Sequence, residues 1–298
     1  MKTFSPTDAA LEGFRITREK PRVLLVWSIA NLIVSTVMAV ALIAMFGPML
    51  AEIEAMNAGS DDPAQALAMF EKLAPFYALV LPVGLMVIAV WSGAVYRVIL
   101  RPADSKYGYL RLGGDELRLA VLMLIYVVLA IGFTFVLTLV AGLLSAGALA
   151  IAGPVGKLIS VLIGLAAIAL FIFVALRLSL SGPATFAERH IRVFESWTLT
   201  RGNVWRLLGA YVVALILAAV VVLLALVIFV AVAAIVAGGD ISSVGKVFQP
   251  DTSSITSYFT VPMVVYLIFG AFLGAVQNAV VYAPPAVAYR ELHGPVGD

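Results

Sequence analysis

From Leu207 to Gly239 no charged residue interrupts the chain. About 20 apolar residues in a helix cross the roughly 30 Å hydrocarbon layer of a bilayer, so this run is long enough to span one with residues to spare. Hydropathy marks six such stretches, at 23–46, 73–100, 119–141, 158–176, 207–237 and 260–283. Lipid offers no partner to a backbone amide, and the runs lack the alternation of a barrel strand, so each is expected to be a helix. Composition agrees: 63% of residues are hydrophobic and 12% charged, against about half and a quarter in soluble domains. The expected fold is therefore an all-α polytopic membrane protein, with residues 1–298 as a single membrane domain of six transmembrane helices in three helical hairpins.

The first run follows a polar, charged segment and exceeds the apolar core of a signal peptide, so it is read as a retained span. No cysteine is present, which excludes a disulfide, a thiolate nucleophile and a cysteine metal site. Orientation follows from basic residues near span ends. Every lysine and arginine except Lys72, Lys157 and Lys246 falls on one side of the six-span arrangement. That side, with both termini, is expected to be cytoplasmic.

The opposite loop at 47–72 carries Glu52, Glu54, Asp61, Asp62 and Glu71, with a turn expected around Gly59 to Pro63. Nothing in that spacing resembles a calcium loop. The long run from 119 onward is broken only around Gly153, Pro154 and Gly156. A helix over 119–152 would be about 50 Å long, so it either tilts and protrudes or breaks near Gly142 or Gly147.

The segments before the odd-numbered spans look alike. Pro6 leads at an offset of eight residues to Phe14-Arg15-Ile16, and Pro102 leads at the same offset to Leu110-Arg111-Leu112, with Arg22 and Arg118 following. A stretched third copy starts at Pro183 and reaches Trp197 and Arg201, then Arg206. Arg97 and Arg177 end the second and fourth spans at similar distances before Pro102 and Pro183, whereas Pro284-Pro285 closes the sixth without such an arginine. This suggests a threefold repeat over 5–100, 101–181 and 182–290, each unit a cytoplasmic interfacial amphipathic helix followed by two spans.

In each elbow the short helix is expected to lie at the membrane surface, with apolar residues dipping into the acyl boundary and arginines facing phosphates. Trp197 and Trp205 suit that depth, because indole is apolar in body and polar at one edge. The candidate headgroup-binding residues are Arg97, Arg111, Arg118, Arg177, Trp197, Arg201, Trp205 and Arg206. Arg97 and Arg177 are expected either to snorkel to the headgroups or to share a cleft that binds a lipid phosphate.

The stretch Ser196 to Gly209, together with an arginine near a span end followed by Pro183-Ala184, resembles a group of bacterial integral membrane proteins related to the membrane domain of glycerophosphodiester phosphodiesterases. The resemblance implies a multi-helix fold in the bacterial inner membrane. It does not imply hydrolysis, since the family's chemistry belongs to an attached soluble barrel and this chain has no room for one.

No catalytic constellation appears. His190 and His293 are the only histidines; the first reads as an exposed imidazole between Glu188 and Arg192, the second as part of a disordered glycine-rich tail. Asp115 and Glu116 beside Arg118 read as solvated or paired acids. No triad, zinc spacing, phosphate loop or dinucleotide fingerprint is found, and no carboxylate, histidine or lysine lies inside the spans as bounded above. The expectation is a non-enzyme with no cofactor and no bound metal.

Gly270, Gly274 and Asn278 recur every four residues and so share one face of the sixth span, where a neighbouring backbone can approach closely. Asn31 in the first span is a candidate partner for that face. The leading functional expectation is a non-catalytic scaffolding or regulatory protein that binds anionic membrane phospholipids at its elbows, without nucleic acid. The alternatives are a small transporter or lipid-translocating protein with a central cavity, and a membrane subunit docking a separate cytoplasmic enzyme. Self-association and an unidentified membrane or cytoplasmic protein partner are both compatible with the sequence.

Overall fold

Ser5 and Pro6 begin the first helix for local reasons. In the computed structural model, which describes residues 3–56, 63–236, 251–252 and 254–294, the Ser5 hydroxyl accepts from the Asp8 amide at 3.3 Å and Pro6 opens helix α1, Pro6–Glu19. The cap satisfies an amide the helix cannot, proline has none to waste there, and Asp8 meets the positive end of the helix dipole. Two long helices follow, α2 (Pro21–Met56) and α3 (Pro63–Leu100), then a one-turn 3-10 helix at Lys106–Tyr109 and α4 (Gly114–Leu178). Short helices α5 (Ser181–Glu188) and α6 (Glu195–Leu199) lead into α7 (Val204–Val236). The turn-length α8 (Ile255–Tyr258) precedes α9 (Val261–His293), which starts from a Thr260 cap.

Among the described residues six segments are long and apolar enough to cross a membrane: Pro21–Gly47, Met69–Leu100, Lys106–Ile151, Gly153–Glu188, Val204–Val232 and Val261–His293. The protein is an all-helical, multi-pass membrane protein. Large apolar side chains such as Val37, Phe135, Ile168 and Leu223 face outward, the arrangement expected where the solvent is lipid.

The third span does not break at Gly142 or Gly147. The helix runs on to Gly153, where φ +51° and ψ −125° reverse it and Pro154 opens the second arm. Gly142 and Gly147 have nothing within 4 Å of where a Cβ would stand, so no neighbour forces a bend. At the tip, a Cβ on Gly156 would lie 2.4 Å from the Ala148 carbonyl oxygen. That closeness is what lets so short a connection reverse a helix.

The tightly packed core lies at one end of the bundle. It joins Trp27, Leu119, Phe186, Leu207 and Tyr289 with the alanines Ala275, Ala279, Ala283 and Ala286. The sixth helix does not stop at Pro284-Pro285 but continues to His293, with 283–289 wholly buried. Proline removes backbone hydrogen bonds; here the surrounding burial outweighs that loss. His293 is likewise ordered, stacked on Tyr289 with ring centroids 5.1 Å apart.

The three lead segments differ in form. Helix α1 tucks its small residues against α9 instead of dipping them into the acyl boundary: a Cβ on Gly13 would stand 2.5 Å from the Val280 Cα. The second lead is no amphipathic helix. Its 3-10 turn places Tyr107, Gly108 and Tyr109 at positive φ, and the Trp27 indole donates to the Gly108 carbonyl at 2.7 Å. The third lead is the pair α5 and α6. Asn31 does meet the sixth span, donating to the Ala271 carbonyl at 3.2 Å and lying against Gly274. Gly270 faces open space, and Asn278 makes no side-chain hydrogen bond among the described residues. The turn expected at 59–62 and Lys246 lie outside the described residues.

Candidate functional site

At the packed end three groups of charged side chains stand out. The first is neutralised from within. Arg97, expected to snorkel or to share a lipid-binding cleft with Arg177, is instead 2% exposed; it donates to Glu116 and, at 2.8 Å, to the Tyr109 carbonyl. Glu116 stands in the first turn of α4, outside the span as bounded from sequence, and is 1% exposed. Arg101 bonds Asp115 at 3.0 Å and the Phe186 carbonyl at 2.8 Å. Both guanidinium groups lie over the Phe186 ring, at 5.3 and 4.6 Å. Arg118 shares Asp115 at 2.8 Å, and Arg111 pairs with Asp104 at 3.0 Å. These arginines tie the end of α3 to the start of α4 and seat α5 between them.

The second group lies at the turn between α6 and α7. Arg201, Trp205 and Arg206 are exposed, Trp205 by 81%. No carboxylate pairs with Arg201 or Arg206 among the described residues. Trp197 is 39% exposed and lies under the Arg177 guanidinium, 4.8 Å from ring centroid to Cζ. Phe173 meets the same indole edge-on at 6.2 Å.

Local hydrogen bonding explains why this elbow keeps its shape. Arg177 Nη1 donates to the Trp197 carbonyl at 3.0 Å and to Thr200 Oγ1 at 3.2 Å. The Ser196 hydroxyl donates to the Arg177 carbonyl at 2.7 Å and accepts from the Leu180 amide at 3.1 Å. Thr200 donates back to the Ser196 carbonyl at 2.9 Å. A five-residue helix cannot hold itself; these bonds fasten α6 to the end of α4. Arg177 Nε is buried and takes no partner among the described residues. The result is a fixed ledge of Arg177 and Trp197 beside the exposed Arg201, Trp205 and Arg206.

A third network joins Glu188, Arg192, Glu195 and Tyr289. Arg192 pairs with Glu188 at 2.9 Å and also with Glu195, while the Tyr289 hydroxyl donates to Glu188 at 3.2 Å. His190 is exposed and hydrogen-bonds to the Glu188 carbonyl at 2.9 Å. No group of three or more potential metal ligands occurs among the described residues.

The sequence located the elbow and named Glu116 as a solvated or paired acid, but did not show Arg97 as its partner, nor the roles of Phe186 and Ser196. One signal was available: Arg97 and Glu116 are opposite charges, each three residues from the facing ends of consecutive spans, and burial of either requires the other. Phe186 and Ser196 carried no comparable signal.

No protein-family model matches the chain, and neither a curated protein nor a solved structure matches it.

Proposed function

We propose that this chain is a non-catalytic protein of the bacterial inner membrane that holds anionic phospholipid at the elbow between α6 and α7, in a scaffolding or regulatory role. One observation carries the reading: Arg201 and Arg206 have no carboxylate within ion-pair distance among the described residues, beside an indole that is 81% exposed. Arg97, Arg101, Arg111, Arg118 and Arg192 each have one. A cation at a membrane surface with no internal counter-ion attracts lipid phosphate, at about 1 kcal/mol per residue. Trp205 anchors at the same depth through its amphipathic ring. The basic end is read as cytoplasmic, with both termini there, because nearly all lysines and arginines gather at it. The three hairpins are read as copies of one unit whose lead segments have diverged.

The test is native mass spectrometry of protein extracted with minimal delipidation. It compares the wild type with Arg201→Ala combined with Arg206→Ala, in membranes containing phosphatidylglycerol and phosphatidylcholine. Loss of both charges should weaken phosphatidylglycerol retention by about 30-fold, two charges at about 1 kcal/mol each. Phosphatidylcholine retention should not change. A folded double variant that keeps its phosphatidylglycerol would overturn the reading.

A further inference from the structure

The two arms of α4 do not close on each other along their whole length. Between 122–133 on the first arm and 171–179 on the second lies a cleft of 460 Å³. Gly182 and Phe194 line it at the packed end, and Phe133 and Phe171 stack at 6.2 Å at the far end. From Leu122 to Phe133 the first arm rises about 16 Å. Leu129 and Phe171 at its margin are 39% and 41% exposed, so the cleft opens sideways, toward the hydrocarbon. A ligand reaching it comes from within the bilayer.

The lining carries no charged residue. An ionised headgroup placed there would lose its hydration and gain no counter-ion. Polar groups are confined to the packed end, where Tyr96, Tyr126 and Ser179 line the cleft. Two of these have internal partners: the Tyr126 hydroxyl bonds with Ser181, and Ser179 donates to the Leu176 carbonyl at 2.8 Å. Tyr96 differs. It is 5% exposed, its ring packs edge-on against Phe186 at 5.9 Å, and its hydroxyl makes no hydrogen bond among the described residues. A Cβ on Gly182 would stand 2.8 Å from that oxygen, so the hydroxyl is held at a fixed place against the start of α5. That oxygen lines the cleft and has no partner among the described residues, so it is left to a ligand there, at about 0.5–1.5 kcal/mol for the hydrogen bond.

We propose that this cleft binds an uncharged lipid, its chain along the apolar wall and its terminal oxygen hydrogen-bonded to Tyr96. A diacylglycerol and an isoprenoid quinone share this chemistry, an apolar chain ending in a neutral hydroxyl or carbonyl oxygen. The site is separate from the arginine elbow and takes the opposite kind of headgroup.

The experiment uses the full chain in phosphatidylcholine nanodiscs, with diazirine-bearing diacylglycerol, isoprenoid quinone and phosphatidylcholine as photoprobes and peptide mapping of the products. At least one neutral probe should label 122–133 or 171–182 well above the phosphatidylcholine probe, and the stronger of the two identifies the end group. Tyr96→Phe keeps the ring and removes the oxygen; it should lower that labelling about fivefold, the worth of one hydrogen bond. Ala130→Trp, which fills the cleft, should abolish it. Arg201→Ala with Arg206→Ala should leave it unchanged, which separates failure here from failure of the elbow reading. Equal labelling by phosphatidylcholine, labelling untouched by Tyr96→Phe, or no labelling of the cleft would each overturn the proposal.

Discussion

Arg97 and Glu116 face each other across the connection between α3 and α4, with side chains only 2% and 1% exposed. Burying either alone strands an uncompensated charge, so removal of one partner should cost about 3–5 kcal/mol. We expect Arg97→Met or Glu116→Leu to be strongly destabilised in detergent. The double variant should lose less than either single one. Equilibrium unfolding followed by tryptophan fluorescence measures all three.

Phe186 anchors α5 between Arg97, Arg101 and Tyr96. Phe186→Ala should cost about 3–5 kcal/mol through the cavity it leaves. A double-mutant cycle with Arg101→Met should give a coupling of about 0.5–2 kcal/mol for the ring and the guanidinium. A coupling of zero would mean that Phe186 acts by packing alone.

Gly13 lets α1 touch the backbone of α9 at Val280 and Ala279. Gly13→Leu should lift α1 off the bundle at a cost of about 1–3 kcal/mol. Trypsin cleavage at Arg15 and Arg18 should then accelerate while the spans stay intact. An unchanged digestion rate would show that α1 is held elsewhere.

Asn31 and Gly274 form a coupled pair. A Cβ at position 274 would lie 2.7 Å from Asn31 Nδ2, so Gly274→Ala must displace the amide from the Ala271 carbonyl. The lost bond is worth about 0.6 kcal/mol. Because the clash and the bond share one side chain, Asn31→Ala should rescue part of the Gly274→Ala defect. Additive single-variant effects in unfolding would contradict that coupling.

The features legible in the sequence were those set by one residue and its chain neighbours. Six apolar runs are each long enough to span a bilayer, and that alone required six helices whatever their arrangement. The same logic located the elbow from Trp197 to Arg206, and a glycine face identified Asn31's contact correctly at Gly274. Gly270, on the same face, found no neighbour.

Long-range partnership was not legible. Pro284-Pro285 looked like a stop because local rules make proline end a helix, yet the burial around 283–289 carries the helix through. His293 looked like part of a loose tail until Tyr289 and Glu188 stood beside it. Arg97 and Arg201 have the same charge and similar positions near span ends; one is sealed inside and the other exposed.

By itself, then, the sequence determined the class of fold, the number of spans and the end of the bundle that carries the charge. Those depend on transfer of residues between water and hydrocarbon, a property each segment has alone. Only the tertiary structure decided which arginines are spent on internal carboxylates, where the arms of α4 part to leave a cleft, and which tyrosine hydroxyl is left facing it. Those depend on distances between groups far apart in the chain, where 1 or 2 Å separates a made bond from an unmet one.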